Sequence, residues 1–470
     1  MDFDCKDESK KVDEQVPKFG YRYIQATIFF FYLLVICLTR NSLSIAVVAM
    51  TERSSKNPNI PIYDWKDIDI ILSSFYWTYV LLQLFSGYVF RLFGFKRVLL
   101  ITMIINCFAF ALIPICAAHF GSIGVVCFRM IQGLTQGFSY PACYTILGTW
   151  VPVKERSKLA FLIFSGARFG VILAMVITGY LSSSWLGWPS VFYSFSVLGI
   201  AWCIVWHFFG FESPAKHPRI SIIEKNHIQH SLDNKDNSKK SKSIPIKAMM
   251  SSVPVWALII GNMGNAWATS IIDLDIPMYL SKALGLDINM NGLVSSTPQF
   301  TQLIIQTVSA PLCDYIIHKE FVSLMNCRRF FHFLASIIPS ILLVWLAYMS
   351  KDQITLAIVL LNLISGLNGL FLYSGYINHV DLTPNHAGAL LGIENSFSMG
   401  IATTGPLFVP YIVTDLSDIF LWRHIFIIMA IVITTTSSVF MIFGSAKVQW
   451  WNSTKDKSSE PLTKIKHNDG

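Results

Sequence analysis

Long runs without a single Asp, Glu, Lys or Arg constrain this chain more than any motif in it. They cover 70–90, 98–128, 130–153, 169–211, 248–272, 288–313, 330–350, 353–380 and 424–446. A bilayer-crossing helix needs about 20 mostly apolar residues, and each run is long enough. Only 14% of the 470 residues are charged, against ~25% in an average globular chain. A soluble enzyme, a disordered chain and a singly anchored protein are excluded, which leaves a polytopic, all-α membrane protein.

Splitting the runs at turn and charge signals predicts twelve transmembrane helices: 22–50, 68–90, 98–118, 121–151, 157–181, 187–210, 253–281, 290–313, 329–349, 354–377, 385–412 and 419–444. The uncharged run 169–211 is too long for one crossing and breaks at Ser182-Ser183-Ser184-Trp185-Leu186-Gly187-Trp188-Pro189. An even number of spans puts both termini on one side. That side collects 27 of the 36 Lys and Arg residues and the opposite loops six, so both termini are expected in the cytoplasm. The net charge of +8 therefore records topology and does not point to nucleic acid. None of the nine cysteines falls in an external loop, so no disulfide framework is expected. The polar first twenty residues give no cleavable signal peptide.

The longest polar insertion, 212–252, carries the flexible basic run HSLDNKDNSKKSKS and divides the spans six and six. The expected units are a cytoplasmic tail 1–21, a six-helix half 22–211, the linker 212–252, a second half 253–446 and a tail 447–470. A short basic turn after span two, Gly87 to Arg97, recurs weakly after span eight, Ala310 to Lys319. Two six-helix halves joined by a linker form the major-facilitator fold, with substrate near the midplane between them.

Three arginines lie inside spans of the first half. A charge at the bilayer centre costs at least ~2.5–3.5 kcal/mol, so Arg40, deep in span one, is expected to face a wet cavity; the alternative is snorkelling to a surface. Arg129 sits nearer the outer end of span four, where a structural role competes. Arg168 lies within Gly166-Ala-Arg-Phe-Gly170, whose small residues also allow a packing role. Guanidinium forks match carboxylate and phosphate oxygens, and no acid lies in the six spans except Asp69 at the edge. Such a half favours an anionic ligand. The buried acids are elsewhere: Asp273 and Asp275 in span seven and Glu394 in span eleven, either as gate partners of the arginines or as a proton or sodium site. Phe75, Tyr76, Trp77 and Tyr79 crowd span two, as packing or lipid-facing groups or as cavity phenols. His379 and Asp381, close together at a span end, are weak evidence for catalysis. No metal cluster, phosphate loop or nucleophile elbow is present in the sequence, so neither an enzyme nor a cofactor is expected.

The segments TRNSLSIAVVAM, SFYWTYVLLQLFSGY, RMIQGLTQGFSYPA, WVPVKERSKLA, GWPSVFY, ESPAKHPRIS, NHVDLTP and AGALLGIENS, in this order, resemble the sialin, vesicular glutamate and sodium–phosphate cotransporter family of the major facilitator superfamily. The resemblance implies transport of organic or inorganic anions, with Arg40 and Arg129 similar to substrate-holding arginines and Arg22 to a structural position. Where proton-coupled sialic-acid relatives carry carboxylates, three and seven residues after the fourth-span arginine, this chain has Gln132 and Gln136. Glutamine cannot take up a proton near pH 7, so that coupling route is absent. Leu72 and Asn265 replace the histidine and the arginine of the glutamate carriers, which argues against vesicular glutamate transport. Arg91 departs from the acidic position of the superfamily turn motif, Asp314 retains it, and Arg168 has no counterpart.

The expectation is a secondary anion transporter, a monomer in the lipid bilayer, in which Arg40 and Arg129 hold a carboxylate, sugar acid or phosphate. Tyr79, Asn265 and Arg168 would assist, and sodium, a proton or the membrane potential would drive it. A potential-driven facilitator without proton coupling and a non-transporting receptor are the competing readings. The tails show no acidic dileucine signal, which favours the plasma membrane over lysosomal or vesicular membranes. The triplet Asn452-Ser453-Thr454 is expected to be cytoplasmic and unglycosylated.

Overall fold

The computed structural model describes residues 19–52, 55–65, 67–152, 155–236, 245–319, 322–384 and 386–452. The terminal tails, the lysine-rich centre of the linker, Ser453 and Thr454 lie outside the described residues, as do the side chains of Arg91 and Asp314. Among the described residues there is no strand. The first half consists of α1 (Tyr21–Thr51), α2 (Ile68–Phe93), α3 (Phe95–Gln136), α4 (Ser139–Trp150), α5 (Arg156–Ser183) and α6 (Pro189–Phe209). Two short linker helices follow, α7 (Ile222–Asp236) and α8 (Ile246–Met250).

The second half contains α9 (Val253–Leu274), the short α10 (Ile276–Met278) with a π-helical turn to Ala283, and α11 (Ile288–His318). It continues with α12 (Leu324–Ala347), α13 (Ile354–Asn368), α14 (Gly375–Leu382), α15 (Ala387–Ala402), α16 (Thr404–Ile412) and α17 (Ile419–Phe443). Among the described residues eight helices are long and apolar enough to cross a membrane by themselves, and one of these, 95–150, is long enough to cross twice. The other crossings are α2, α11 and the pair α15–α16. The last is interrupted at Thr403, and α11 is rich in Asn, Ser, Thr and Gln. Polarity and breaks therefore gather where helices face the interior.

The double crossing has a local cause. Gly121 takes φ 60° and ψ −148°, a left-handed geometry that glycine adopts without a side-chain clash, and α3 turns back on itself there. Indole N–H groups tie neighbouring segments together by donating to backbone carbonyls: Trp150 to Phe211, Trp202 to Ile28 and Trp206 to Lys96, at 2.9, 2.9 and 3.1 Å. The eight described cysteines are free.

The two ends of the bundle differ. Away from the linker, one apolar cluster contains Val47, Met50, Ile71 and Phe75 of the first half together with Leu274, Met278 and Ile288 of the second. Glu52 at the end of α1 accepts from Ser281 (2.9 Å) and pairs with Lys282 (2.5 Å). This end is shut. At the linker end, Glu224 of α7 accepts from the backbone N–H of Tyr21 and Arg22, both at 3.1 Å, capping the N-terminus of α1. Arg22 completes the joint through Glu224 (3.1 Å) and Glu155 (2.8 Å), the structural role expected of that residue. Nearby, the Lys216 ammonium holds the Glu212 carboxyl below its ordinary range.

Candidate transport site

A cavity of about 890 Å³ lies between the halves. Its wall runs from Asn41, Tyr76 and Asp273 in mid-bundle to Phe90, Ile246 and Ala389 near the linker. It therefore extends toward the linker end and stops below the shut one.

Two glycines assemble the first-half wall. Gly133 of α3 and Gly137 at its C-terminal cap bring the chain against α2 so closely that an added Cβ would stand 2.1 Å from the Phe75 carbonyl oxygen and 2.7 Å from that of Tyr79. Thr78 fixes the crossing by donating to the Met130 carbonyl at 2.6 Å. The contact sets Arg129, Gln132 and Gln136 beside Phe75 and Tyr79. Opposite them α1 carries Arg40. Its guanidinium lies over the rings of Tyr79 (4.7 Å) and Phe75 (4.8 Å), contacts worth roughly 0.5–2 kcal/mol each. Arg40 Nε donates to Gln136 at 3.3 Å, and Gln136 is itself held by Thr39 and Asn106. Nη2 of Arg40 has no partner.

Arg40 thus lines the cavity and does not snorkel. Arg129 does not line it. It is fully buried, with its guanidinium over the same Phe75 ring at 4.9 Å, and donates only to Gln132 at 3.2 Å. Its Nε and Nη2 are unpartnered. Neither arginine meets a carboxylate among the described residues. Of the span-two aromatics, Tyr76 and Tyr79 line the cavity, Phe75 packs beneath the guanidiniums and Trp77 faces outward.

Arg168 also reaches the cavity. An added Cβ on Gly166 or Gly170 would stand 2.1 Å from the Phe30 carbonyl oxygen or 2.5 Å from that of Leu34, so these residues seat α5 on α1. Arg168, between them in sequence, points instead to the second half. It donates to Gln302 (2.9 Å) and Gln299 (3.3 Å), and Gln299 donates to Asp273 at 2.6 Å. The polar chain continues from Gln302 to Asn368 and on to Asn265. Asp273 and Asn265 line the cavity. Asp275 is buried at the junction of α9 and α10, outside the lining, with one carboxylate oxygen unpartnered.

Glu394 is buried behind the lining; Ser398 donates to it at 2.5 Å, and His379 Nε2 lies 3.5 Å from its other carboxyl oxygen. His379 and Asp381 do not form a pair: Asp381 accepts two bonds from Arg328, at 2.8 and 3.3 Å. Sequence reasoning named Glu394 but missed its histidine, which is fifteen residues back and across a helix boundary. It also missed Gln299 and Gln302, whose only signal was the unusual polarity of α11.

Two packed helical halves around a mid-membrane cavity, shut at one end, define a membrane transporter. The chain belongs to the major facilitator superfamily: that family's model matches residues 29–319 and 258–468. It is 31% identical to sodium-dependent phosphate transport protein 3 of Mus musculus over 92% of this chain and 95% of that one. It is 30% identical to human sialin over 92% and 90%, and 30% identical to vesicular glutamate transporter 1 of Xenopus tropicalis over 90% and 74%. In fold it matches a bacterial homolog of the human lysosomal transporter Spinster, solved inward-facing and unoccupied, with a TM-score of 0.68 at 12% identity over 91% of this chain and 97% of that one.

Proposed function

We propose that this protein carries a small organic or inorganic anion across the membrane by alternating access. The substrate would be of the carboxylate, sugar-acid or phosphate class, held by Arg40 and Arg168 in the cavity and by Arg129 once the far end opens. One contrast supports this reading. Arginines with a structural task are matched to carboxylates, Arg22 to Glu155 and Glu224 and Arg328 to Asp381. Arg40 and Arg129 have glutamines and unpartnered N–H groups instead. A buried cation left without a counter-ion is costly, and an anionic substrate supplies the missing charge. Tyr79 and Asn265 add neutral donors. The names of the relatives, which mention phosphate and glutamate, agree with this class.

In this reading both termini are cytoplasmic, the cavity faces the cytoplasm, and a single chain works in the plasma membrane. A potential-driven facilitator is the second reading. It is favoured by Gln132 and Gln136, which bond the arginines as neutral amides at positions where a carboxylate would titrate. Counterflow of labelled phosphate, glutamate and sialate in proteoliposomes tests the main proposal. Arg40→Ala is expected to reduce exchange of the transported anion on the order of 100-fold, as for loss of a buried charge contact. Full exchange by that variant would refute the assignment of Arg40.

A further inference from the structure

We infer that His379 and Glu394 form a proton-carrying dyad behind the cavity wall of the second half, which couples a proton to the anion. This inference rests on the anion transport proposed above. His379 Nδ1 lies 2.8 Å from the Tyr376 carbonyl oxygen. A carbonyl only accepts, so Nδ1 carries hydrogen, and in a neutral ring Nε2 is then a bare lone pair. That Nε2 lies 3.5 Å from Glu394 Oε2, and neither atom has any other hydrogen-bond partner. The other carboxyl oxygen is taken by Ser398. Two lone pairs would therefore face each other in a buried site unless a proton sits on one of them. The pair with that proton is neutral overall, whichever atom bears it. Without it, a carboxylate is left in the protein interior.

Nothing nearby replaces the proton. On α12, Arg328 is matched to Asp381 of α14, and His332 shares a bond with Ser374. Helix α9 offers no titratable side chain before Asp273. On α2 and α4 the neighbouring groups are the phenols Tyr76, Tyr79 and Tyr144, on α14 the phenol Tyr376, and on α16 Tyr411 is exposed. Water is one layer away: Leu391, Ile393 and Asn395 of α15 line the cavity, as does Tyr376.

The coupling is electrostatic. In an empty cavity Arg40 has no carboxylate partner, and its positive charge stabilises the deprotonated dyad. A bound anion cancels that field, and in a low-dielectric interior the change is felt across the wall. Anion and proton therefore load together. The proton is taken from water on one side and returned to water on the other, and no other group is oxidised, reduced or bonded. This places proton coupling in the second half, at a position independent of Gln132 and Gln136.

The test uses the full chain in proteoliposomes, with labelled phosphate, glutamate and sialate as probes. For one proton per monovalent anion, an imposed difference of one pH unit, acid outside, is expected to drive about tenfold accumulation by the wild type. Glu394→Gln keeps the shape and is expected to abolish that accumulation while preserving counterflow, and His379→Gln is expected to do the same. Glu394→Asp should restore part of the accumulation. Tenfold accumulation by either glutamine variant would overturn the dyad. So would a wild type that exchanges anions but ignores the pH gradient, and anion transport itself would stand. If Glu394→Gln fails to assemble, His379→Gln decides the matter alone. No counterflow of any probe by the wild type would refute the transport reading and this inference with it.

Discussion

In the middle of its bundle the first half leaves two buried cations short of partners, with Arg129 bonded to Gln132 and Arg40 to Gln136. The second half surrounds its buried acids with neutral groups, Gln299 on Asp273 and Ser398 and His379 on Glu394. Positive and negative charge are thus kept on opposite sides of one cavity and do not neutralise each other in direct pairs. The cavity wall of the first half presents the unpartnered guanidinium N–H of Arg40, and the proposed proton dyad lies behind the wall of the second. In the proposed mechanism, binding and coupling are separable because they occupy different halves.

The most direct way to break this separation is to put a carboxylate among the cations. Gln136→Glu would set an acid 3.3 Å from Arg40 Nε and satisfy the charge meant for the substrate. Counterflow at pH 7.5 is expected to fall on the order of 100-fold and to recover as acid protonates the new carboxyl. An unchanged rate at pH 7.5 would mean that Arg40 is not the anion's partner. A smaller effect is expected at the seam. Arg168→Ala removes a cation already shared between Gln299 and Gln302 and should raise KM about tenfold, or ~1.4 kcal/mol, with little change in maximal rate. A collapse of the maximal rate at constant KM would instead make Arg168 part of the conformational step. The smallest effect belongs to the shut end. Lys282 and Glu52 are partly exposed, and such pairs contribute ~0–1 kcal/mol. Lys282→Gln should alter transport less than about threefold, and a larger loss would show that the ion pair, and not the apolar cluster, holds that end closed.

Much of this architecture was legible in the sequence because bilayer physics writes itself along the chain. Uncharged runs gave the crossings, the polar insertion divided them, and the depth of Arg40 in its span indicated a cavity. What stayed hidden depends on distances between helices. The run 98–151 predicted two helices, but not that Gly121 alone would turn one into the other or that Gly137 would break the second. For Arg129 the sequence left a structural role competing with substrate binding, and the Gly133–Gly137 crossing buries it away from the cavity lining. His379 seemed to belong with Asp381 two residues on, yet helical geometry separates them and gives each a partner from another helix. Asp275 looked equivalent to Asp273, but only Asp273 reaches the cavity.

The cap that Glu224 places on α1 has a mechanical consequence. In the proposed alternating access, a linker helix that closes the N-terminus of the first crossing and grips Arg22 would move with the first half as if it were part of it. The hinge between the two moving bodies therefore falls later in the chain than the end of α6. A tag or cleavage site inserted ahead of Glu224 would be carried as cargo on one body, whereas one inserted after α7 would report the motion between them.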